Sequence, residues 1–234
     1  MKTRRLMMTT LACLGIVAGL ASCVGVTVSP GHGAAFLTGW DNDHYDVGAG
    51  PDYAVVSTPA EANSNNQRLV FWNWTSQPST NQEVCANWVA STSLSNQWGL
   101  ALRVVSGDGR TQAITITNNV FGTNYNTFNM HVWDTNWGGD LPAIAFGSFK
   151  LPAIGGDRGP LPLPLRMCAK AVDNVLSFVV WPLPGTQPAY GDPTWGAAAH
   201  IPDGAPGYGM PGLYAGHVQP GGSVSYNGIA SRSL

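Results

Sequence analysis

The chain has 234 residues, of which 44% are hydrophobic and only 10% are charged. That length suits one β-rich domain, and the recurring hydrophobic runs exclude a disordered chain. The formal net charge is −2, and past Ser22 it becomes −5, with eight Lys and Arg residues against thirteen Asp and Glu residues. This balance lacks the basic footprint of a nucleic-acid-binding protein, so we expect no nucleic-acid partner.

The first 22 residues are typical of a signal peptide. Lys2, Arg4 and Arg5 supply a positively charged start, and the fifteen residues 6–20 carry no charge. Such a stretch is too short to span a bilayer comfortably but fits the core of a signal peptide. We therefore predict that residues 1–22 direct export, and the rest of the sequence has no apolar stretch of membrane-spanning length.

The end of this segment, Leu20-Ala21-Ser22-Cys23, resembles the lipobox of bacterial lipoproteins. The resemblance implies cleavage before Cys23 and acylation of that cysteine. Several acyl chains, at about 0.8 kcal/mol per buried CH₂, hold a soluble domain at a membrane. On this interpretation residues 23–35 are a flexible tether. The alternative is an ordinary secreted protein that is cut nearby, for example after Ala21 or Ala35.

The remaining chain, residues 36–234, is predicted to be a single all-β domain with little helix. Short apolar or alternating runs recur between turn residues, and none of convincing length has a helical period. Turn signals at Gly107-Asp108-Gly109 and Asp173-Asn174 each separate two runs. There is no fixed-period repeat, which favours a sandwich or barrel over a propeller. The predicted strands are YAVVST, RLVFWNW, EVCANWVAS, GLALRVVS, QAITITNN, NTFNMHVWD, AIAFGSFKL, LRMCAKAV, VLSFVVWP, GAAAHI, GLYAGHV and SVSYNGIA.

Two cysteines lie within the body of the domain, Cys85 and Cys168. Both fall in predicted strands, and both alternate onto the more polar side of their strand. In an exported domain disulfides persist, so we predict a bond between them. Closing so long a loop would stabilise the fold by at most about 4–5 kcal/mol. The alternative is a pair of separate free thiols.

The C-terminal half resembles the concanavalin A-like lectin/glucanase superfamily. The resemblance rests on LRMCAKAVDNVLSFVVWP, QPAYGDPTWG and GMPGLYAGHVQPGGSVSYNGIA. It implies a two-sheet antiparallel β-sandwich of the jelly-roll type. Because this fold hosts lectins, hydrolases, lyases and structural modules, the resemblance supports a fold more strongly than a function.

Catalytic patterns are weak in this chain. The glucanases of the superfamily carry an E-x-D-x-x-E-like pattern on one strand, which this sequence lacks, and its only glutamates are Glu61 and Glu83. Asp134 and Asp140, in HVWDTNWGGD, are the remaining candidates for acid/base chemistry, although such pairs are common in solvated loops. G-x-S-x-G, H-E-x-x-H and C-x-x-C motifs are also missing from the sequence.

A weak metal-binding pattern occurs near the N-terminus of the domain. Asp41, Asp43 and Asp46 in DNDHYD offer oxygen ligands in close sequence, and calcium prefers several such ligands. Calcium also occurs in some proteins of the superfamily that the chain resembles. The alternative is a polar loop that uses Asp and Asn for turns, and no other cofactor is expected.

Aromatic and polar side chains suggest a sugar-binding surface. Strand parity places Asn129, His131 and Trp133 on one side of a strand. Sugars bind such groups by stacking on indole rings and by hydrogen bonds to amides. The alternative is that these tryptophans fill the core. We predict one outer sheet face that also carries Trp72, Trp74, Trp181, Asn87, Arg103, Arg166 and Lys170.

The favoured hypothesis is a surface-anchored lipoprotein whose β-sandwich binds a glycan of the cell envelope without cleaving it. Its partners would be a glycan or polysaccharide and, through Cys23, a membrane. The alternatives are a glycoside hydrolase or lyase-like enzyme of the same fold, and an envelope scaffold or adhesin that binds protein. Two carboxylates about 5–9 Å apart in a cleft would favour the hydrolase.

Overall fold

A computed structural model describes residues 25–29, 31–38, 44–60, 67–73, 76–138, 141–157 and 159–234. These ranges contain fifteen strands and a single 3-10 turn over Pro152–Ile154. The strands are β1 (Gly25–Val28), β2 (His32–Thr38), β3 (His44–Ala49), β4 (Tyr53–Ser57), β5 (Arg68–Asn73), β6 (Gln82–Ser91), β7 (Gln97–Gly107), β8 (Arg110–Asn118), β9 (Thr127–Asp134), β10 (Ala143–Lys150), β11 (Leu165–Val172), β12 (Val175–Pro182), β13 (Gly196–His200), β14 (Met210–Gly216) and β15 (Ser223–Ser233).

The strands form two sheets. The eight-stranded sheet has the order β1-β3-β4-β15-β6-β11-β12-β13, and the seven-stranded sheet has the order β10-β9-β8-β7-β14-β5-β2. Neighbouring strands are antiparallel, except that β1 runs parallel to β3. The predicted all-β, two-sheet antiparallel sandwich with little helix is therefore confirmed.

Aromatic rings from both sheets interleave in the core between them. Trp88 of the eight-stranded sheet stacks on Trp98 of the seven-stranded sheet at 4.5 Å between ring centroids. Trp98 contacts Phe128 edge-on at 6.0 Å, and Phe128 contacts Phe178 of the opposite sheet at 5.6 Å. Each such pair contributes about 0.5–1.5 kcal/mol beyond the burial of its area. This chain of rings fixes how the two sheets sit on each other.

Both turn signals form the expected tight connections. Asp108 and Gly109 join β7 to β8, and both have positive φ, at 50° and 76°. This backbone matches the twist of a two-residue hairpin. Asp173, with φ of 51°, opens the two-residue connection between β11 and β12.

The predicted disulfide is confirmed. Strands β6 and β11 are neighbours, and their register places Cys168 directly opposite Cys85. The two sulfurs are bonded, with 4.1 Å between the Cα atoms and 83 residues between the cysteines. The bond therefore links two adjacent strands of the eight-stranded sheet on its outer face.

The N-terminal part of the domain differs from the prediction. Residues 23–35 were expected to be a tether, but the structure places β1 and the start of β2 within this range. Strand β2 pairs with β5 from His32↔Asn73 onwards, and Phe36 packs against Tyr45 with 5.8 Å between ring centroids. The Gly- and Ala-rich sequence of β2 does not predict a strand, and its backbone hydrogen bonds to β5 make it one.

The predicted signal peptide, residues 1–22, and the lipidation site Cys23 lie outside the described residues. Within the described ranges, no helix has the length and apolar character needed to cross a membrane. The export and anchoring predictions therefore remain predictions.

Candidate functional site

The polar and aromatic residues predicted to share one outer face are divided between the two sheets. Strand β9, with Asn129, His131 and Trp133, and strand β5, with Trp72, belong to the seven-stranded sheet. The other sheet carries Asn87 on β6, Arg166 and Lys170 on β11, and Trp181 on β12. The single-face prediction is wrong, because strand parity gives a side but long-range pairing decides the sheet.

On the eight-stranded sheet, Trp181 is covered by the β12–β13 loop, residues 183–195. Its side chain is 3% exposed, packs beside the disulfide, and donates from Nε1 to the carbonyl oxygen of Gly185 at 2.9 Å. Tyr190, within this loop, and Trp195, its last residue, pack against the same cluster. The indole of Trp181 is therefore not placed to stack on a sugar.

Arg103 has a structural position. It lies in a bulge of β7 with φ of 49° and is 3% exposed. Its Nε donates to the carbonyl oxygen of Thr80 at 2.8 Å, and its Nη2 donates to that of Asp173 at 2.6 Å. Burial is the main cause that lowers the pKa of this guanidinium. Arg103 thus joins two loops to β7 and does not lie on a binding surface.

The outer face of the seven-stranded sheet carries a row of polar side chains across three strands. Thr117 of β8 lies opposite Asn129 of β9, which lies opposite Ser148 of β10. The Oγ of Ser148 donates to Oδ1 of Asn129 at 2.8 Å. In the next row, Thr115 lies opposite His131. Thr115 and Thr117 are buried, so the groups that reach the surface are the amide of Asn129, the imidazole of His131 and the hydroxyl of Ser148.

Trp133 lies at the base of this surface. It is 2% exposed, and its Nε1 donates to Oγ1 of Thr115 at 2.8 Å. Its ring lies 5.6 Å from the ring of His131, and the guanidinium carbon of Arg68 lies 5.7 Å from its centroid. A contact of this kind is attractive because the ring face is electron-rich. Trp133 therefore supports the polar groups around it, and its own ring is covered.

The contact between Arg68 and Trp133 joins side chains from two strands that are not neighbours in the sheet. Arg68 is on β5 and Trp133 is on β9, and three strands lie between them. Adjacent strands are about 4.8 Å apart, so the two backbones are several strand widths from each other. The intervening rows carry small residues, including Gly99, Ala101 and Gly212. Long side chains from the flanking strands meet above this floor.

Trp72 is also covered. It is 8% exposed, and a Cβ built on Gly33 of the neighbouring strand would lie 2.5 Å from the indole ring. The ring thus lies against the backbone of β2 at Gly33, where a side chain would collide with it. Trp74, the other tryptophan predicted in this run, lies outside the described residues.

His131 is a neutral group on this surface at physiological pH. Burial, and secondarily the positive charge of Arg68, lowers the pKa of His131 to about 4.

The groups around His131 are held by further hydrogen bonds. The Nη1 of Arg68 donates to Oγ1 of Thr38 at 3.3 Å. Behind these groups, the Tyr214 hydroxyl donates to Oε1 of Gln97 at 2.7 Å. We define Arg68, Asn129, His131, Trp133 and Ser148 as the β9 cluster.

Asp134, at the end of β9, is held by several donors. Nε of Arg110 lies 2.8 Å from its Oδ1, and Nη2 of the same guanidinium contacts its Oδ2. Gln112 and the backbone N–H of Asn136 donate to the carboxylate as well, at 3.1 and 3.0 Å. The hydrogen bond from Arg110 is the main cause that lowers the pKa of Asp134. This environment favours an ionised structural group over a proton donor at neutral pH.

The other predicted site residues either lie outside the described residues or lie away from the β9 cluster. Asp140, Asp41 and Asp43 lie outside the described residues. Asp46, on β3, accepts from Nε2 of His44 at 2.7 Å and is exposed. Within the part of the chain that the structure describes, no group of three or more His, Cys, Asp or Glu side chains could hold a metal ion. Calcium binding stays an untested expectation.

Two members of the β9 cluster were missed by the sequence analysis. Arg68 alternates with Trp72 in RLVFWNW, so the parity that singled out Trp72 could also have singled out Arg68. Ser148 stands in AIAFGSFKL, where nothing in the sequence indicates that it faces Asn129. A cross-strand hydrogen bond depends on register, and register depends on partners that are distant in sequence.

Comparison with known proteins supports the fold. No protein-family model and no curated protein sequence matches the chain. Among solved structures, the carbohydrate-binding module CBM66 from Bacillus subtilis is 8% identical with a TM-score of 0.51, covering 90% of this chain and 99% of that one. The VIP36 exoplasmic/lumenal domain, bound to Ca²⁺ and Man3GlcNAc, is 10% identical with a TM-score of 0.52, covering 88% and 84%.

A legume lectin-like domain from Entamoeba histolytica is 11% identical with a TM-score of 0.50, covering 86% of this chain and 90% of that one. At these identities the likeness is one of fold alone. The protein has a concanavalin A-like β-sandwich fold, as the resemblance of its C-terminal half implied.

Proposed function

We propose that this protein is an exported, non-catalytic glycan-binding module, and that it binds sugar hydroxyls on the outer face of its seven-stranded sheet. The observation that carries the proposal is the β9 cluster, in which a guanidinium and an imidazole lie over a buried indole beside an amide–hydroxyl pair. The similar structures include a carbohydrate-binding module, a domain bound to Man3GlcNAc and a legume lectin-like domain, which supports a sugar ligand here.

The chemistry of the β9 cluster suits hydroxyl groups. Amides, hydroxyls and a neutral imidazole both donate and accept hydrogen bonds, as sugar hydroxyls do. Asn129 and His131 are only partly buried, and Ser148 is exposed. Since Trp133 and Trp72 are covered, hydrogen bonds would contribute more than ring stacking. A few such contacts give affinities in the micromolar to millimolar range.

Binding is favoured over cleavage by the state of the described carboxylates nearest to the predicted sites. Asp134 is engaged by Arg110, and Glu83, on the other sheet, is engaged by Arg232 and Tyr190. Glycoside hydrolysis usually needs one carboxyl group that is protonated and another that faces it across the scissile bond. Neither of these two carboxylates meets that description.

We further propose that the protein is held at a membrane through acylated Cys23. The lipobox-like sequence motivates this proposal, and the disulfide between Cys85 and Cys168 is of the kind that persists in exported proteins. The full-length protein should partition into detergent, and its N-terminal peptide should carry the mass of an acylated cysteine. A soluble product with an unmodified Cys23, or with a signal peptide cut elsewhere, would contradict the anchor.

The glycan proposal is tested by affinity electrophoresis of the oxidised protein against a panel of neutral polysaccharides. At least one should retard the wild type, and both Asn129→Ala and His131→Ala should weaken that retardation by about tenfold, as expected for losing hydrogen bonds at a small site. His200→Ala, on the opposite sheet, is the matched control. Equal retardation of the cluster variants and the control, or shortened saccharide products after overnight incubation, would overturn the proposal.

A further inference from the structure

The outer face of the eight-stranded sheet carries basic side chains on adjacent strands, although the exported chain as a whole is acidic. Arg232 of β15 lies opposite Glu83 of β6, and Lys170 of β11 lies opposite the same glutamate from the other side. Arg166 lies four residues before Lys170 on the same strand and the same side. The central carboxylate is therefore flanked by cations on both neighbouring strands.

Glu83 is fully engaged by two other groups. Its Oε1 accepts from the Tyr190 hydroxyl at 2.7 Å, and its Oε2 accepts from Nε of Arg232 at 2.5 Å. Burial and the contact with Glu83 raise the pKa of Tyr190, which keeps the phenol protonated as a donor. Both carboxylate oxygens thus accept short hydrogen bonds from Tyr190 and Arg232 rather than from Lys170 on the opposite strand.

Lys170 points to an aromatic ring instead. Its Nζ lies 4.4 Å from the centroid of the Tyr190 ring. Within the described residues, Lys170 makes no ion pair with a carboxylate. A cation–π contact at a half-exposed site is worth only about 0.5–1 kcal/mol, so the ammonium keeps much of its capacity to bind an anion.

These side chains surround an open depression of about 500 Å³, bordered by Glu83, Lys170, Gln187, Tyr190 and Arg232. The charged side chains that line it are two cations and one carboxylate. Arg232 uses Nε for Glu83 while 68% of its side chain is exposed, which leaves its two terminal amino groups for a ligand. Gln187 is exposed on the loop above and adds a neutral amide.

We propose that this depression binds the carboxylate of an acidic sugar, such as a uronic acid unit of a polyanionic glycan, between Lys170 and Arg232. A guanidinium fork matches a carboxylate in geometry, and the ammonium adds a point charge. Gln187 offers an amide to a neighbouring hydroxyl of the same sugar. This site goes beyond the proposed function, because it lies on the opposite face of the sandwich and takes a charged ligand.

The test is calorimetric titration of the full-length oxidised protein with an oligogalacturonate, beside a neutral oligogalactan of the same length. We expect the acidic oligomer to bind the wild type and Lys170→Gln to weaken that binding by about tenfold, the usual effect of losing one charge-assisted hydrogen bond. Raising the salt concentration should also weaken it, since an exposed site is screened. Lys170→Arg, which keeps the charge, should retain most of the affinity.

Lys150→Gln is the matched control, because Lys150 is a half-exposed lysine of the other sheet that pairs with Asp157. Lys170→Gln leaves no carboxylate unpaired, so it should fold as the wild type does, which circular dichroism checks. Equal losses in Lys150→Gln and Lys170→Gln, or no binding of the acidic oligomer by the wild type, would overturn the site. Loss of acidic binding in His131→Ala but not in Lys170→Gln would overturn it too and move the ligand to the β9 cluster.

Discussion

Each outer face of the sandwich carries a buried tryptophan that points away from the central core, but the two tryptophans are covered by different groups. On the seven-stranded sheet, Trp133 is covered by the side chains of Arg68 and His131, which themselves remain partly exposed. On the eight-stranded sheet, Trp181 is covered by the β12–β13 loop, which accepts its indole N–H. A tryptophan covered by polar side chains can underlie a binding surface, whereas one covered by backbone mainly holds a loop in place.

The largest effect should come from the disulfide beneath that loop. Replacing both cysteines, Cys85→Ala with Cys168→Ala, should lower the free energy of unfolding by up to about 4–5 kcal/mol, because the bond closes a long loop. Urea unfolding measures this. Wild-type protein in reductant is the control and should unfold at a similar urea concentration. If the reduced protein keeps its full stability, the bond does not stabilise this face.

Trp181→Ala should have a comparable but somewhat smaller effect on stability. Removing a buried tryptophan costs about 3–5 kcal/mol, and here the β12–β13 loop also loses its contact at Gly185. Neutral glycan binding on the opposite sheet should be retained under folding conditions. Trp137→Ala, a half-buried tryptophan in the turn after β9, is the milder control. A variant that keeps its stability but loses neutral glycan binding would reverse the comparison between the two faces.

A smaller effect is expected from the carboxylate at the end of β9. The pKa of Asp134 is lowered in the folded state, so its stabilising effect is present above the ordinary pKa of an aspartate and is lost as pH falls through the lowered value. Asp134→Asn should therefore lower Tm by a few degrees at pH 7, and the difference should shrink as pH falls below about 4. Thermal unfolding across that range measures it. A difference that is constant with pH would mean that the charge of Asp134 is unimportant.

The mildest expected effect is the pH dependence of the β9 cluster. Because the pKa of His131 is about 4, the ring stays neutral and neutral glycan binding should be nearly constant from pH 8 to about 5. It should weaken near pH 4, when an imidazolium forms beside Arg68. His131→Gln should remove that step. A midpoint of glycan binding near pH 6.5, the ordinary pKa of histidine, would show that the ring is solvated and would contradict its burial beside Arg68 and Trp133.

The stability of the wild type should follow the same histidine. Since His131 is neutral in the folded state down to about pH 4, the unfolded chain binds more protons between that pH and about 6.5. The contribution of His131 to folding therefore falls as pH drops through this window. The slope should be smaller in His131→Gln, as urea unfolding at several pH values would show.

Local sequence patterns predicted most of the strands because apolar alternation and turn residues coincide in them. β9 alternates Phe128 and Met130 inward with Asn129 and His131 outward, and Asp108-Gly109 closes the hairpin between β7 and β8 as a turn residue pair should. Strands β1 to β3 were missed. HGAAFLT in β2 carries small residues with little strand preference, so its pairing with β5 rather than its own sequence makes it a strand.

Local sequence was enough to predict the all-β class, the two cysteines that could pair, and the side of its strand on which each candidate residue points. These properties depend on neighbours along the chain, because side chains alternate with a period of two. The folded sandwich was needed to see that Trp133 and Trp181 belong to opposite faces, that Arg68 reaches across three strands, and that Asp134 is bonded to Arg110. Each of these depends on strand order, register and loop coverage, which are set by contacts between residues far apart in the chain.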